Sequence, residues 1–401
     1  MGTLIPESGH GMISLMSEHE AVMQSIRASY RELDAATAPL DVAAERVYGE
    51  TAQASAVDSH RRARHEMPYY KTNEFLFARR AYENASLSRQ FLPQSLVVAM
   101  VSQHDAFTAG LIRALHDLKP TLRLRIRGSL SVGELEACDS LEAAGKKLVD
   151  DQVSEVLRES HLRQLTWLGD ALNMSLSSDQ ELLDRFQEVI QRRHLYAHTA
   201  GIINASYLAA RRKVDRSFSG KVGQRLHISA QEFEDAYVTL SEIAVKLWQV
   251  TWRKVRSDEV GIAEEALYQL SYNLLAFGDY PLAQRLLRFA TEECKCVVDQ
   301  IRRRNIINLA QSYKWTGDMD RCREALKGDW TSCEDAFALA IAVLNDDFDS
   351  AEALMLSVGA AGDIVEQAFS DWPLFREFRR TPQYARAYQR LFGAPDDVRA
   401  A

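Results

Sequence analysis

Glycine and proline are scarce: 19 and 9 residues in a chain of 401, about 7% together against about 12% in average usage. Hairpins and tight βα loops need residues that accept positive φ or fix φ, so a chain poor in both has few such turns. Collagen-like, low-complexity and all-β architectures are excluded on this ground, and a mostly helical protein of two or three domains is expected. Long apolar runs are also missing. The longest, such as Leu96 to Val101, fall far short of the roughly 18 residues that span a bilayer. The first twenty residues lack the basic and apolar regions of a signal peptide. With only five cysteines, an odd number, a cytoplasmic protein with reduced thiols and no membrane partner is expected. Cys294 and Cys296, two apart on an expected helix, would point to nearly opposite sides, so no metal site is predicted there. There is no surplus of positive charge either. Forty-eight basic residues face 56 acidic ones, a net charge of −8, which argues against a protein basic all over but leaves room for a local basic site.

What is present is organised by segment. Residues 1–68 form an N-terminal arm, read over 12–66 as two polar, solvated helices. It carries the basic run His60, Arg61, Arg62, Arg64, His65. Residues 69–256 form a helical domain. After Pro93 an apolar face with small Ala99, Ala106 and Ala109 predicts a closely packed helix to about 116. In TLRLRIRGS, Leu122, Leu124 and Ile126 alternate with Arg123, Arg125 and Arg127, which predicts a short extended segment with a basic outer row. Helices are expected at about 131–145, 147–170, 178–200 and 230–256, with a basic loop from Arg211 to Arg225.

Residues 257–360 repeat themselves. Phe277-Gly278-Asp279, Thr316-Gly317-Asp318 and Asn345-Asp346-Asp347 occupy equivalent turns. Each is followed, four residues past its aspartate, by a small residue: Ala283, Cys322 and Ala351. The spacing straddles the 34 residues of a helical-hairpin repeat. This segment resembles tetratricopeptide repeats, about three and degenerate, which implies a concave surface for a protein partner such as an antitoxin. Residues 361–401 read as capping helices.

One stretch carries chemistry. Arg192, Arg193, His194 and His198 lie within seven residues, on a helix otherwise bearing Leu183, Phe186 and Ile190. Histidine exchanges a proton near neutrality, and arginine offers a fixed charge with a planar donor fork. Together they suit metal-free RNA cleavage, in which a base deprotonates the ribose 2′-hydroxyl and a cation stabilises the phosphate. Segment 192–226 holds eight basic residues against the single acid Asp215. Of these, Arg211, Arg212, Lys213 and Arg225 are candidates to guide the RNA backbone.

The string RRHLYAHTAGIINASYL resembles the signature of the HEPN superfamily. Arg193 and His198 are separated by four residues, polar His194 follows the arginine, and Gly201 lies just beyond. The resemblance covers roughly residues 70 to 256. It implies an all-α, HEPN-like helical bundle ahead of the tetratricopeptide-like repeats. It also implies a metal-independent endoribonuclease without cofactor, of the kind found in toxin, antiviral and RNA-surveillance systems. His198 would be the proton-transfer group, Arg193 the phosphate-stabilising cation, and Arg192 and His194 secondary. Family members often place asparagine after the histidine; here Thr199 stands there. Five residues on a helix turn about 140°, so Arg193 and His198 do not share a face of one chain. A homodimer with a composite site is therefore expected. The other reading of these residues is a non-catalytic adaptor that dimerises through the same domain. Nucleotide-binding, zinc-protease and nucleophile-elbow motifs are absent from the sequence.

Overall fold

The computed structural model describes residues 7–58, 69–176, 179–330, 333–361 and 364–393. Among them the protein is all-α, with no strand and one isolated antiparallel bridge, Ile202 to Arg225. The chain divides into two compact units, Gly11–Ala244 and Val245–Ala401 with Met1–His10. The basic run at 60–65 lies outside the described residues.

The first unit contains α1 (Glu7–Asp58), α2 (Tyr69–Leu118), α3 (Val132–Glu136), α4 (Leu141–Arg158), α5 (His161–Leu172), α6 (Gln180–Thr199), α7 (Ala205–Val214) and the start of α8 (Ala230–Val255). The arm read as two solvated helices is one helix, and its first half is packed. Met12, Met16, His19, Met23, Tyr30 and Thr37 are all buried, at spacings of three, four and seven that keep them on one face. Two of the six are polar types, so apolar counting alone understates the stripe. Tyr30 stacks on Phe233 of α8 at 4.0 Å, and the Arg27 guanidinium lies 4.2 Å over the Tyr237 ring.

The helix expected from Pro93 begins at Tyr69, and Pro93 is inside it. A single interior proline removes one hydrogen bond, and the buried run Val97, Met100, Val101, Phe107, Leu111, Ile112 and Leu115 holds α2 together. By length and composition, residues Glu83–Leu118 could cross a membrane. The sequence reading missed this because polar residues interrupt every apolar run. Half of its most apolar 18-residue window is buried, and α2 packs on α4 and α6.

TLRLRIRGS is not extended: Pro120–Arg125 is a 3-10 turn, with Leu122 buried and Leu124 exposed. Pro120 pre-sets the helical φ at its first position, and no strand lies beside it. The expected helices at 131–145 and 147–170 break elsewhere, because serines cap new starts. Ser131 forms a capping box with Glu134, while Ser140 and Ser160 accept from Ala143 and Arg163. Arg211, Arg212 and Lys213, expected in a loop, form the last turn of α7, where cations suit the helix dipole.

Three histidines are buried in this unit, His19, His104 and His116, and the first two lie against phenylalanine rings. His19 lies 4.7 Å from Phe107, and His104 lies 5.2 Å from Phe186. Burial pushes His19 down to about 4, and burial with the neighbouring imidazoles pushes His104 well below its usual range. Both therefore fold uncharged. The unfolded chain binds their protons below about pH 6.5 while the folded chain does not. Stability should fall as pH drops below 6.5, and the His19 contribution should level off near pH 4. Urea titrations from pH 7 to 4 should show His19→Leu losing about one proton's worth of this slope. An unchanged slope would contradict the buried neutral state.

The second unit holds the end of α8 and then α9 (Val260–Ala276), α10 (Tyr280–Arg288), α11 (Asp299–Trp315), α12 (Met319–Ala325), α13 (Asp335–Leu344), α14 (Phe348–Ala361), α15 (Glu366–Asp371) and α16 (Pro382–Phe392). Three helical hairpins, α9–α10, α11–α12 and α13–α14, share one turn geometry. Gly278, Gly317 and Asp346 each take positive φ, 79°, 84° and 59°. After them the amides of Asp279, Asp318 and Asp347 donate to Leu274, Tyr313 and Ala342 carbonyls at 2.8, 2.9 and 2.9 Å, the bond that closes a helix in the Schellman manner. Ala283, Cys322 and Ala351 are fully buried where the second helix meets the first. Beyond the hairpins α16 packs on α14. Cys294 and Cys296 are not on a helix; they follow a π-turn at Phe289–Glu293, and burial raises both thiols to about 11.

Candidate functional site

α6 carries every proposed catalytic side chain. Asp179 caps its start by accepting from Leu182, and Leu182, Leu183, Phe186, Val189 and Leu195 bury its inner face. Its end is a tandem of left-handed residues, Ala200 at φ 49° and Gly201 at φ 78°. A Cβ on Gly201 would lie 3.1 Å from the Leu226 carbonyl, so position 201 demands glycine by conformation and by space. The following loop is clamped to this turn. Ile203 N donates to Gln224 O, Gly223 N to Ile203 O, and Leu226 N to Gly201 O at 2.9, 2.9 and 2.7 Å.

The four residues point three ways. Arg192 turns inward and is 8% exposed. Its Nε donates to Glu188 Oε1 at 2.7 Å and its Nη2 to Glu232 Oε1 at 2.8 Å. Burial opposes its charge, but these carboxylates outweigh burial and raise its pKa. It braces α6 against α8 and is closed to a substrate. Arg193 turns toward α2, where it forms a loose ion pair with Asp105 at 3.9 Å. The other carboxylate oxygen of Asp105 is 2.9 Å from His161 Nε2. His194 and His198 are exposed and adjacent, ring centroids 4.5 Å apart and inclined at 58°.

In the last two turns of this helix the pair of histidines is what meets solvent with proton-transfer chemistry. Two neighbouring imidazoles can divide the roles of base and acid. Among the described residues Arg193 and His198 make no contact with each other, as their angular separation on the helix requires. Thr199 donates its hydroxyl to Leu195 O or Ile202 O, at 2.9 and 3.0 Å. It secures the helix end and does not orient His198.

The basic residues divide by role. Arg211 is engaged by Glu188 at 3.4 Å and Asp215 at 3.1 Å, and stacks 5.4 Å over Phe218. Arg225 donates to Ala200 O at 2.6 Å and lies 5.3 Å over Phe91. It caps α6 two residues beyond His198. Arg212 and Lys213 are exposed, and Arg212 donates only a long bond to Gly220 O at 3.4 Å. Of the four, these two are the ones that present their charge to solvent.

Sequence reasoning missed Asp105, His161, Glu188 and Glu232. Glu188 was within reach, since it lies four residues before Arg192 on the same helix. It also accepts from Tyr207 Oη at 2.9 Å. Asp105 and His161 come from α2 and the start of α5, and no spacing joins them to Arg193. Among the described residues no cluster of three or more histidine, cysteine or acidic side chains could hold a metal ion. Comparison with protein-family models, with curated proteins and with solved structures finds no match to this chain.

Proposed function

We propose that this protein is a metal-independent endoribonuclease of HEPN type, acting as a toxin or antiphage effector, with the hairpin unit docking a protein partner. The exposed His194–His198 pair at the basic end of α6 carries this reading. His198 takes the 2′-hydroxyl proton, the 2′-oxygen attacks phosphorus, and the bond to the 5′-oxygen breaks as that oxygen receives a proton from a second acid. Arg193 of a second copy stabilises the charge gathering on the phosphate, because one chain alone does not bring Arg193 and His198 together. Two α6 helices meeting across a two-fold axis supply both groups to each site.

The adaptor reading keeps one specific observation. Arg193 is drawn to Asp105, itself bound to His161, an arrangement that serves structure without chemistry. End-group analysis separates the two. RNA incubated with the protein in EDTA should yield fragments with 2′,3′-cyclic phosphate and 5′-hydroxyl ends. RNA left intact, or fragments with other ends, would contradict the ribonuclease reading.

A further inference from the structure

We propose that the groove between α5 and α6, 920 Å³ in volume, receives a guanine base of the RNA strand that is cut at His194 and His198. This deepens the reading above and rests on it in one respect, that α6 meets RNA. The groove lies wholly within the first unit.

Its walls are two facing helical stripes. Leu162, Thr166, Asp170 and Asn173 follow one another along α5 and its cap, and Gln180, Leu183 and Gln187 along α6. Steps of three and four residues keep each set on one face. Seven residues beyond Gln187 the α6 stripe reaches His194, and four further on His198. Seven residues make almost two full turns, so the face is preserved, and the rise from Gln187 to His194 is about 10 Å. A strand that sets a phosphate at the histidines can therefore lay a neighbouring base in the groove.

Polar groups without partners identify that base. Among the described residues the side chains of Asp170, Asn173 and Gln187 make no hydrogen bond or ion pair, and all three line the groove. Thr166 and Gln180, in contrast, are engaged by Leu162 O and Asp184. A carboxylate offers two acceptor oxygens and no donor. Guanine presents two adjacent donors, N1–H and N2–H, on its Watson–Crick edge, and so matches both oxygens of Asp170 at once. Adenine, cytosine and uracil each offer that carboxylate one donor group. The amides of Asn173 and Gln187 can donate to O6 or N7. The charge of Asp170 repels phosphate, which keeps the backbone outside and turns the base inward. Leu165 and Leu183 form a buried floor, and Leu162 and Met174 leave apolar surface exposed for the base to cover. The volume lies at the upper end of ligand sites, about 300–1,000 Å³, and admits a base with its ribose.

The test is fluorescence anisotropy of the full-length protein with labelled octamers of 2′-O-methyl uridine carrying one central guanine, inosine, adenine or cytosine. The methyl group removes the attacking hydroxyl, so binding is read without cleavage. The guanine octamer should bind about tenfold more tightly than the adenine, cytosine or all-uridine octamers, within the discrimination of a bidentate contact. Inosine lacks the N2 amine and should fall between them, which tests the Asp170 contact without any substitution. Asp170→Asn should abolish the preference and Gln187→Ala should reduce it. Glu155→Gln, the same charge change at an exposed position of α4, should preserve it. The preference is a ratio within each protein, so a general change in RNA affinity cancels, and thermal melts check folding. Equal binding of all octamers, preference for another base, inosine equal to guanine, or a preference that survives Asp170→Asn would overturn the proposal. So would displacement by GMP as tight as the guanine octamer, which would mark a pocket for a free nucleotide. Cleavage of unmodified RNA in EDTA is scored separately. Guanine preference without cleavage would overturn the ribonuclease reading alone, and cleavage without guanine preference would overturn the groove alone.

Discussion

Arg192→Ala should destabilise the first unit by about 3 kcal/mol, the lower end of the cost of removing one partner from a buried ion pair. The lower end applies because the two carboxylates left behind are partly exposed, Glu188 by 22% and Glu232 by 39%. The loss has three parts. Glu188 and Glu232 no longer share a cation, Glu188 keeps only the longer Arg211 pair and the Tyr207 hydroxyl, and the tie between α6 and α8 is gone. A domain's whole stability is only about 5–15 kcal/mol, so urea unfolding at pH 7 will register the change readily. The acid limb gives a second reading. Burial works against the Glu232 charge, but the Arg192 hydrogen bond prevails and holds its carboxyl below the ordinary 4.5. That contribution is present above the unfolded value and is lost as pH falls through the folded one. Wild type and variant should therefore converge below pH 4.5. Adding Glu232→Gln to Arg192→Ala should recover part of the loss, because a neutral side chain tolerates the site better. An Arg192→Ala protein as stable as wild type would show that Arg192 is free to serve a substrate.

The parts of this structure written in local spacing were readable before any coordinates. The three hairpin turns are an example: positions 278, 317 and 346 need positive φ, and a small residue follows at the one position where two helices touch. α6 and its polar string were readable for the same reason, since a 3.6 period and a capped start are local features. Features that depend on what lies across the fold were not. The buried stripe of α1 includes His19 and Thr37, whose burial is decided by Phe107 and neighbours on other helices. Pro93 marks a break by local rules and sits inside a helix because tertiary packing outweighs one lost hydrogen bond. The site was legible in part. Exposure of His194 and His198 follows from their place on the polar face. Whether a basic residue is free or already engaged depends on distant partners, and so Arg192, Arg211 and Arg225 looked like Arg212 and Lys213 in sequence. Asp105, thirteen residues into a run otherwise read only for its apolar face, gave no signal of its own.

The largest effect expected is on RNA cleavage. Removing a positioned general base or the cation that stabilises the phosphate each costs about 10²–10⁴-fold in rate, so His198→Ala and Arg193→Ala should both be nearly inactive. Neither side chain is deeply built into the core: His198 is exposed and the Arg193 ion pair is loose. Folding should survive both changes, and melting curves will check it. The composite site makes a sharper demand. A dimer of one Arg193→Ala chain and one His198→Ala chain has one site with both defects and one with none. Random exchange of equal amounts places half the chains in such mixed dimers, so the mixture should regain about a quarter of wild-type activity. The decisive measurement is therefore RNA cleavage in EDTA by each variant alone and by the two together after subunit exchange. Restoration to about that level supports a ribonuclease built from two α6 helices. A mixture as inactive as its parts would contradict the composite site, and variants as active as wild type would contradict the assignment of Arg193 and His198.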